Sequence, residues 1–100
     1  MKNKKLTIIA KIVAKPEMQT FVKKELIKLI GPTLQEVGCI NYDFHIDNNN
    51  KNLFLFFENW ESKALWKIHM ESNHIKAFSK ATENAIEHAE LFEMTHYQKS

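Results

Sequence analysis

Leu53 to Phe78 reads LFLFFENWESKALWKIHMESNHIKAF, and a change of period inside it decides the fold. Residues Leu53 to Trp60 are apolar on both alternating registers: Leu53, Leu55 and Phe57 on one, Phe54, Phe56 and Trp60 on the other. That is the pattern of a strand buried on two faces. After Ser62, a suitable N-cap, the residues Ala64, Leu65, Ile68 and His69 recur at helical spacing. A central strand therefore runs into a helix, and Glu58, Trp60, His69 and His74 fall close to the junction.

Upstream, Cys39 to Asp47 alternates strictly, with Ile40, Tyr42, Phe44 and Ile46 on one side and polar residues on the other. The polar run Asp47 to Asn52 joins it to the central strand, which predicts an antiparallel hairpin. Earlier still, Leu6 to Val13 is rich in β-branched residues and ends before Lys15-Pro16-Glu17, where proline suits the first turn of a helix. From Met18 to Ile30, one stripe carries Met18, Val22, Leu26 and Leu29. Gly31-Pro32 should kink or break this helix, Thr33 to Glu36 adds a turn, and Val37-Gly38 ends it.

Downstream, the spacing predicts a short helix over Ser62 to Glu71. A second is expected from Ser72 or Asn73 to His88, with Ile75, Phe78, Ala81, Ala85 and Ile86 facing inward. A last strand is expected over Glu90 to Tyr97. The order β-α-β-β-α-β is that of an α+β, ferredoxin-like sandwich, with one antiparallel sheet and helices on one face. Helices on one face leave the other uncovered, although the central strand is apolar on both. Each large side chain left in water would forfeit about 1.5–3 kcal/mol, so a second copy packed sheet to sheet is expected, a homodimer.

One hundred residues make one domain, here 1–100, with residues 1–5 a basic terminal tail. A composition of 44% hydrophobic and 26% charged residues with only 2 Gly and 2 Pro is that of a globular protein. The net charge of +2 comes from interspersed signs, so no nucleic-acid or anionic-membrane partner is expected. Leu6 to Val13 is too short to span a membrane or to serve with a cleavage site as an export signal, which makes the cytoplasm the default location. Cys39 is the only cysteine, which rules out an intrachain disulfide or a thiolate cluster, and it reads as a small packed side chain. His69 and His74 are five apart, off a common face of a continuous helix, so no metal site is expected from them. His45, His88 and His96 read as surface or strand-edge residues.

His69 is the candidate for proton chemistry. An imidazole with a pKa near about 6.5 can accept a proton at neutral pH, and the turn could place it beside Trp60 with Glu58 close by. A packing or capping histidine fits the spacing equally well. Glu58 could pair with a lysine or orient a bound acid. Trp60, Trp66, Phe44, Phe54 and Phe78 also fit a core.

The series Phe57-Glu58-Asn59-Trp60, Ser62, Ala64-Leu65, His69 nine after the tryptophan, Ser72, His74 and Phe78 resembles the antibiotic biosynthesis monooxygenase domain family. The likeness extends to Ala14-Lys15-Pro16-Glu17, Pro32-Thr33, Gly38-Cys39 before Tyr42, and a closing strand. The resemblance implies a dimeric α+β barrel and, in some members, oxygenation of quinols or polyphenols by dioxygen with no metal or flavin. It implies Trp60 as a pocket wall, His69 as proton acceptor, and His74 and Phe78 as neighbours on the helical side; Glu58, Phe56 and Phe44 are the further candidates for contact with the substrate. Some oxygenases of the family carry an asparagine four residues before this tryptophan, where this chain has Phe56, which counts against the oxygenase. Haem-degrading relatives use a tryptophan and a histidine where this chain has His69 and Ser79, so no haem is expected. The competing expectations are a non-catalytic binding or stress-response module, and an isomerase of a small oxygenated metabolite.

Overall fold

The computed structural model describes residues 5–99. Its elements are β1 (Leu6–Ala14), a 3₁₀ turn (Pro16–Met18), α1 (Gln19–Lys28), α2 (Ile30–Leu34), β2 (Cys39–Ile46), β3 (Leu53–Trp60), α3 (Lys63–Met70), α4 (Asn73–Ala81) and β4 (Ile86–Met94). All four strands join one antiparallel sheet in the order β2-β3-β1-β4, the ferredoxin-like arrangement expected above. Of the basic tail, only Lys5 lies among the described residues, and it is exposed.

The two registers of β3 have different fates. Phe54, Phe56, Glu58 and Trp60 are buried beneath the helices. Their counterparts on the opposite face are half-buried, and Phe57 is 39% exposed. Val22, Leu26 and Leu29 of the predicted stripe close over Ala10, Ile12, Phe54 and Phe56 to form one apolar cluster. A second cluster, Leu6, Ile8, Trp60 and Trp66, lies under α3. Glu58 stands on β3 between Phe56 of the first and Trp60 of the second.

The break at Gly31-Pro32 is gentler than a stop: Leu29 ends α1, and Pro32 is accommodated in the first turn of α2, where a missing N–H costs nothing. The downstream boundaries differ more. Helix α4 stops at Ala81, not His88, and β4 starts at Ile86, not Glu90. Thr82 ends the helix by donating its hydroxyl to the Phe78 carbonyl at 2.8 Å. Ile86 to Ala89 then pair with β1 from Ala14 to Ile12. The ladder of a central strand outweighs the helical propensity of Glu87 to Glu90, a tertiary override of a local preference.

Several side chains also depart from the periodic reading. Ala81 is exposed, while Ala85 is buried but in the turn before β4. On α3 the buried face is Trp66 and His69, with Ile68 63% exposed. On β2 a register shift between Cys39 and Asn41 takes Ile40 out of the alternation, leaving it 46% exposed, and Ile46 at the strand end is 40% exposed. No helix of the described residues is long and apolar enough to cross a membrane.

Candidate active site

His69 reaches the core because two helix caps fix the chain on either side of it. Ser62 caps α3 by accepting the Leu65 N–H, and Ser72 caps α4 by accepting the Ile75 N–H. The break between the helices puts His69 in the last turn of one and His74 in the first turn of the next, with ring centroids 5.9 Å apart. The five-residue spacing that separates them on a continuous helix therefore does not separate them here.

Both rings meet Glu36, a residue the sequence reading passed over. His69 Nδ1 lies 2.5 Å and His74 Nε2 2.8 Å from the same oxygen, Oε2 of Glu36. A carboxylate oxygen only accepts, so each ring donates an N–H to it, and His69 is held as the tautomer whose Nε2 carries a lone pair. Glu36 follows α2, and its approach depends on Gly38, which has φ +91. A Cβ at Gly38 would lie 2.5 Å from Leu65 Cδ1, so only glycine lets this loop press against α3. No local signal marks Glu36, because its partners lie 33 and 38 residues away.

The three donor atoms lie within 4.8 Å of one another, a set of the kind that can hold a metal ion. As arranged, both nitrogens point hydrogens at Glu36, which is the geometry of a proton-holding clamp. Burial lowers the pKa of His69, against the opposing pull of Glu36, so the ring stays a neutral base.

His69 is 2% exposed and packs its ring 4.7 Å from that of Trp60 and 5.6 Å, edge-on, from that of Tyr42. It lines a cavity of about 200 Å³ between sheet and helices. Ala10, Ile12, Tyr42, Phe56 and Glu58 form the sheet side, and Leu26, Trp66, His69, Ile75 and Phe78 the helix side. Drug-sized sites run to about 300–1,000 Å³, so this one suits a one- or two-ring compound. Its walls are almost wholly apolar, with His69 and Glu58 the ionisable exceptions apart from the Tyr42 phenol. That phenol is pushed far up by burial and by Glu58.

Glu58 pairs with no lysine among the described residues. Its Oε1 accepts the Trp60 Nε1–H at 2.9 Å. Burial, only partly offset by that bond and reinforced by the charge of Glu36, pushes its carboxyl up to about 7.

The structure thus brings His69, Glu58, Phe56 and Phe78 to one cavity. Trp60 is fully buried behind His69, Phe44 stacks on Phe54 and packs at a tilt against Phe56, and His74 sits on the far side of Glu36. These three support the lining and do not form it. Cys39 is half-buried with its thiol pushed up to about 11, chiefly by burial, so it stays protonated. His45, His88 and His96 are exposed.

The family model described as "Antibiotic biosynthesis monooxygenase" matches residues 5–81. An uncharacterized Synechocystis protein, sll1783, is 34% identical over 77 residues, which are 73% of this chain and 50% of that protein, so this chain spans half of that relative's length. The Escherichia coli protein named "Probable quinol monooxygenase YgiN" is 28% identical over 91 residues, with 81% of this chain and 88% of its own length covered. Among solved structures, PA3566 from Pseudomonas aeruginosa is similar with TM-score 0.93 and 28% identity, over 98% of this chain and 99% of its own.

Proposed function

This chain belongs to the antibiotic biosynthesis monooxygenase family, and from that membership we propose that it oxidises a quinol or small polyphenol with dioxygen, using no metal or organic cofactor. One observation carries the reading: a neutral imidazole, His69, oriented through Nδ1 by Glu36, stands on the wall of a small apolar cavity. The Nε2 of His69 takes the hydroxyl proton of the substrate. The resulting phenolate is electron-rich enough to reduce dioxygen directly, and the apolar walls keep water away from the reactive species. Phe56 and Phe78 sandwich the ring from sheet and helix, Glu58 meets a second polar group, and Trp60 backs the imidazole. Phe44 supports Phe56 from behind, and His74 completes the clamp on Glu36. The relative named as a quinol monooxygenase supports the substrate class.

In this proposal residues 1–100 act as one cytoplasmic domain, and the uncovered sheet face is closed by a second copy of the chain. Phe57, Ile9 and Phe92 stand side by side on that face, with Met94 one pair further along, and Phe57, Phe92 and Met94 are 39%, 37% and 47% exposed. A row of large side chains of this kind is a docking surface for its own copy.

The test is oxygen uptake by metal-free protein over a panel of substituted hydroquinones and naphthohydroquinones, one- and two-ring compounds that the cavity can hold, with His69→Ala and Glu36→Gln beside it. The expected result is uptake that falls by about a hundredfold or more in His69→Ala, the range of a general base. A fall of about tenfold is expected in Glu36→Gln, which leaves the imidazole but frees its tautomer. No uptake across the panel, or full activity in His69→Ala, would remove the reading.

A further inference from the structure

We propose that Glu58 is a second proton-handling group of this cavity, an acid on the sheet side that works with His69 on the bound compound. The inference rests on the oxygenase reading and deepens it.

Glu58 is 3% exposed, lines the cavity, and is held by one hydrogen bond, from Trp60 Nε1. Its cross-strand neighbours are Ile8 and Tyr42, neither of them a cation. A glutamine would accept the same indole hydrogen without the cost of a buried ionisable group, so a purely structural role does not call for a carboxyl. The indole of Trp60 connects the two candidates: its N–H meets Glu58 and its ring packs at a tilt against His69, 4.7 Å between centroids. The titratable groups around Glu58 are Glu36 and Cys39 from the loop and start of β2, Tyr42 from β2, and His69 from α3. With its carboxyl raised to about 7, Glu58 can both give and retake a proton near neutral pH.

Oxygenation of a hydroquinone needs such a partner. His69 removes the hydroxyl proton, and the ortho carbon of the phenolate forms a bond to dioxygen, leaving a peroxide anion on that carbon. Glu58 protonates the terminal oxygen. Its carboxylate then takes the hydrogen from the same carbon, the electron pair forms the new C=O, and the O–O bond breaks. The departing hydroxide takes the proton held by His69 and leaves as water. One oxygen atom ends in the hydroxyquinone and one in water, the substrate loses four electrons, and both side chains return to their starting states.

The experiment is oxygen uptake with methylhydroquinone as a function of pH, in the full chain and in Glu58→Gln. A role as proton donor predicts a kcat about a hundredfold lower in Glu58→Gln, KM nearly unchanged, and loss of the limb near neutral pH that the parent displays. A Glu58→Gln protein with kcat within about threefold of the parent and the same pH limb overturns the proposal. If the parent takes up no oxygen, the oxygenase reading fails and the infrared carboxyl band decides for Glu58 alone. A protonated-carboxyl band that titrates near neutral pH, shifts on adding resorcinol and is missing in Glu58→Gln upholds it as the cavity's acid. No such band overturns it.

Discussion

His69 and Glu58 are two ionisable side chains, 2% and 3% exposed, whose environments push them in opposite senses. Burial is the leading cause for both: it disfavours the cation of His69 and the anion of Glu58, so both tend toward neutrality. The consequence for stability has a definite sign. The folded pKa of Glu58, about 7 against an ordinary 4.5, means the folded state keeps a proton that the unfolded chain releases. Its contribution is therefore fully present below about pH 4.5 and is lost as pH rises through 7, by about 3 kcal/mol at most. His69, with its pKa lowered, acts the other way: stability is lost as pH falls below its unfolded value near about 6.5. Glu58→Gln should thus be more stable than the parent above pH 7, by about 1–3 kcal/mol, with the gap closing toward pH 5. Urea unfolding across that range measures it, and parallel curves for the two proteins would show that Glu58 ionises normally in the fold.

At the scale of elements, the site depends on two joints: the loop from α2 to β2 and the break between α3 and α4. Gly38 governs the first. An added methyl meets Leu65 Cδ1 at 2.5 Å and Leu65 Cβ at 2.8 Å, and the φ of +91 is itself costly for any L side chain. Gly38→Ala should cost about 2–4 kcal/mol of stability from overpacking and backbone strain together. Leu65→Ala in the same chain should relieve part of it, giving a double variant less destabilised than the sum of the singles. Additive losses in chemical denaturation would mean that the loop does not press on α3 as described. The second joint was readable from the two serines, each followed three residues later by the N–H it caps. The end of α4 was not, because Glu87 to Glu90 are good helix formers and become strand only through pairing with β1.

For the whole molecule, the sheet has one face covered by helices and one lined by Phe57, Ile9, Phe92 and Met94. Sedimentation at micromolar concentration should show a dimer. Phe57→Lys combined with Phe92→Lys should give a folded monomer, since two charges opposed across a symmetric interface lose both burial and neutrality. A parent protein that sediments as a stable monomer would remove the sheet-to-sheet arrangement. The same imbalance was visible in the alternation of Leu53 to Trp60, where neither register is polar throughout.

The order of elements, the antiparallel sheet and the importance of the β3–α3 junction follow from periodicity, caps and turns, which are local properties that a sequence carries openly. His69 and Glu58 stand out on the same basis, as polar groups at apolar positions. The clamp on His69 does not, because Glu36 reaches His69 and His74 only after the chain has turned through β2 and β3 and two helix caps have set the break. Nor does the sorting of the aromatics, where Phe56 and Phe78 line the cavity while Trp60, Phe44 and His74 stand behind it. Which side chain faces a cavity and which carboxylate meets which imidazole are set by packing between segments far apart in the chain, and only the tertiary structure decides them.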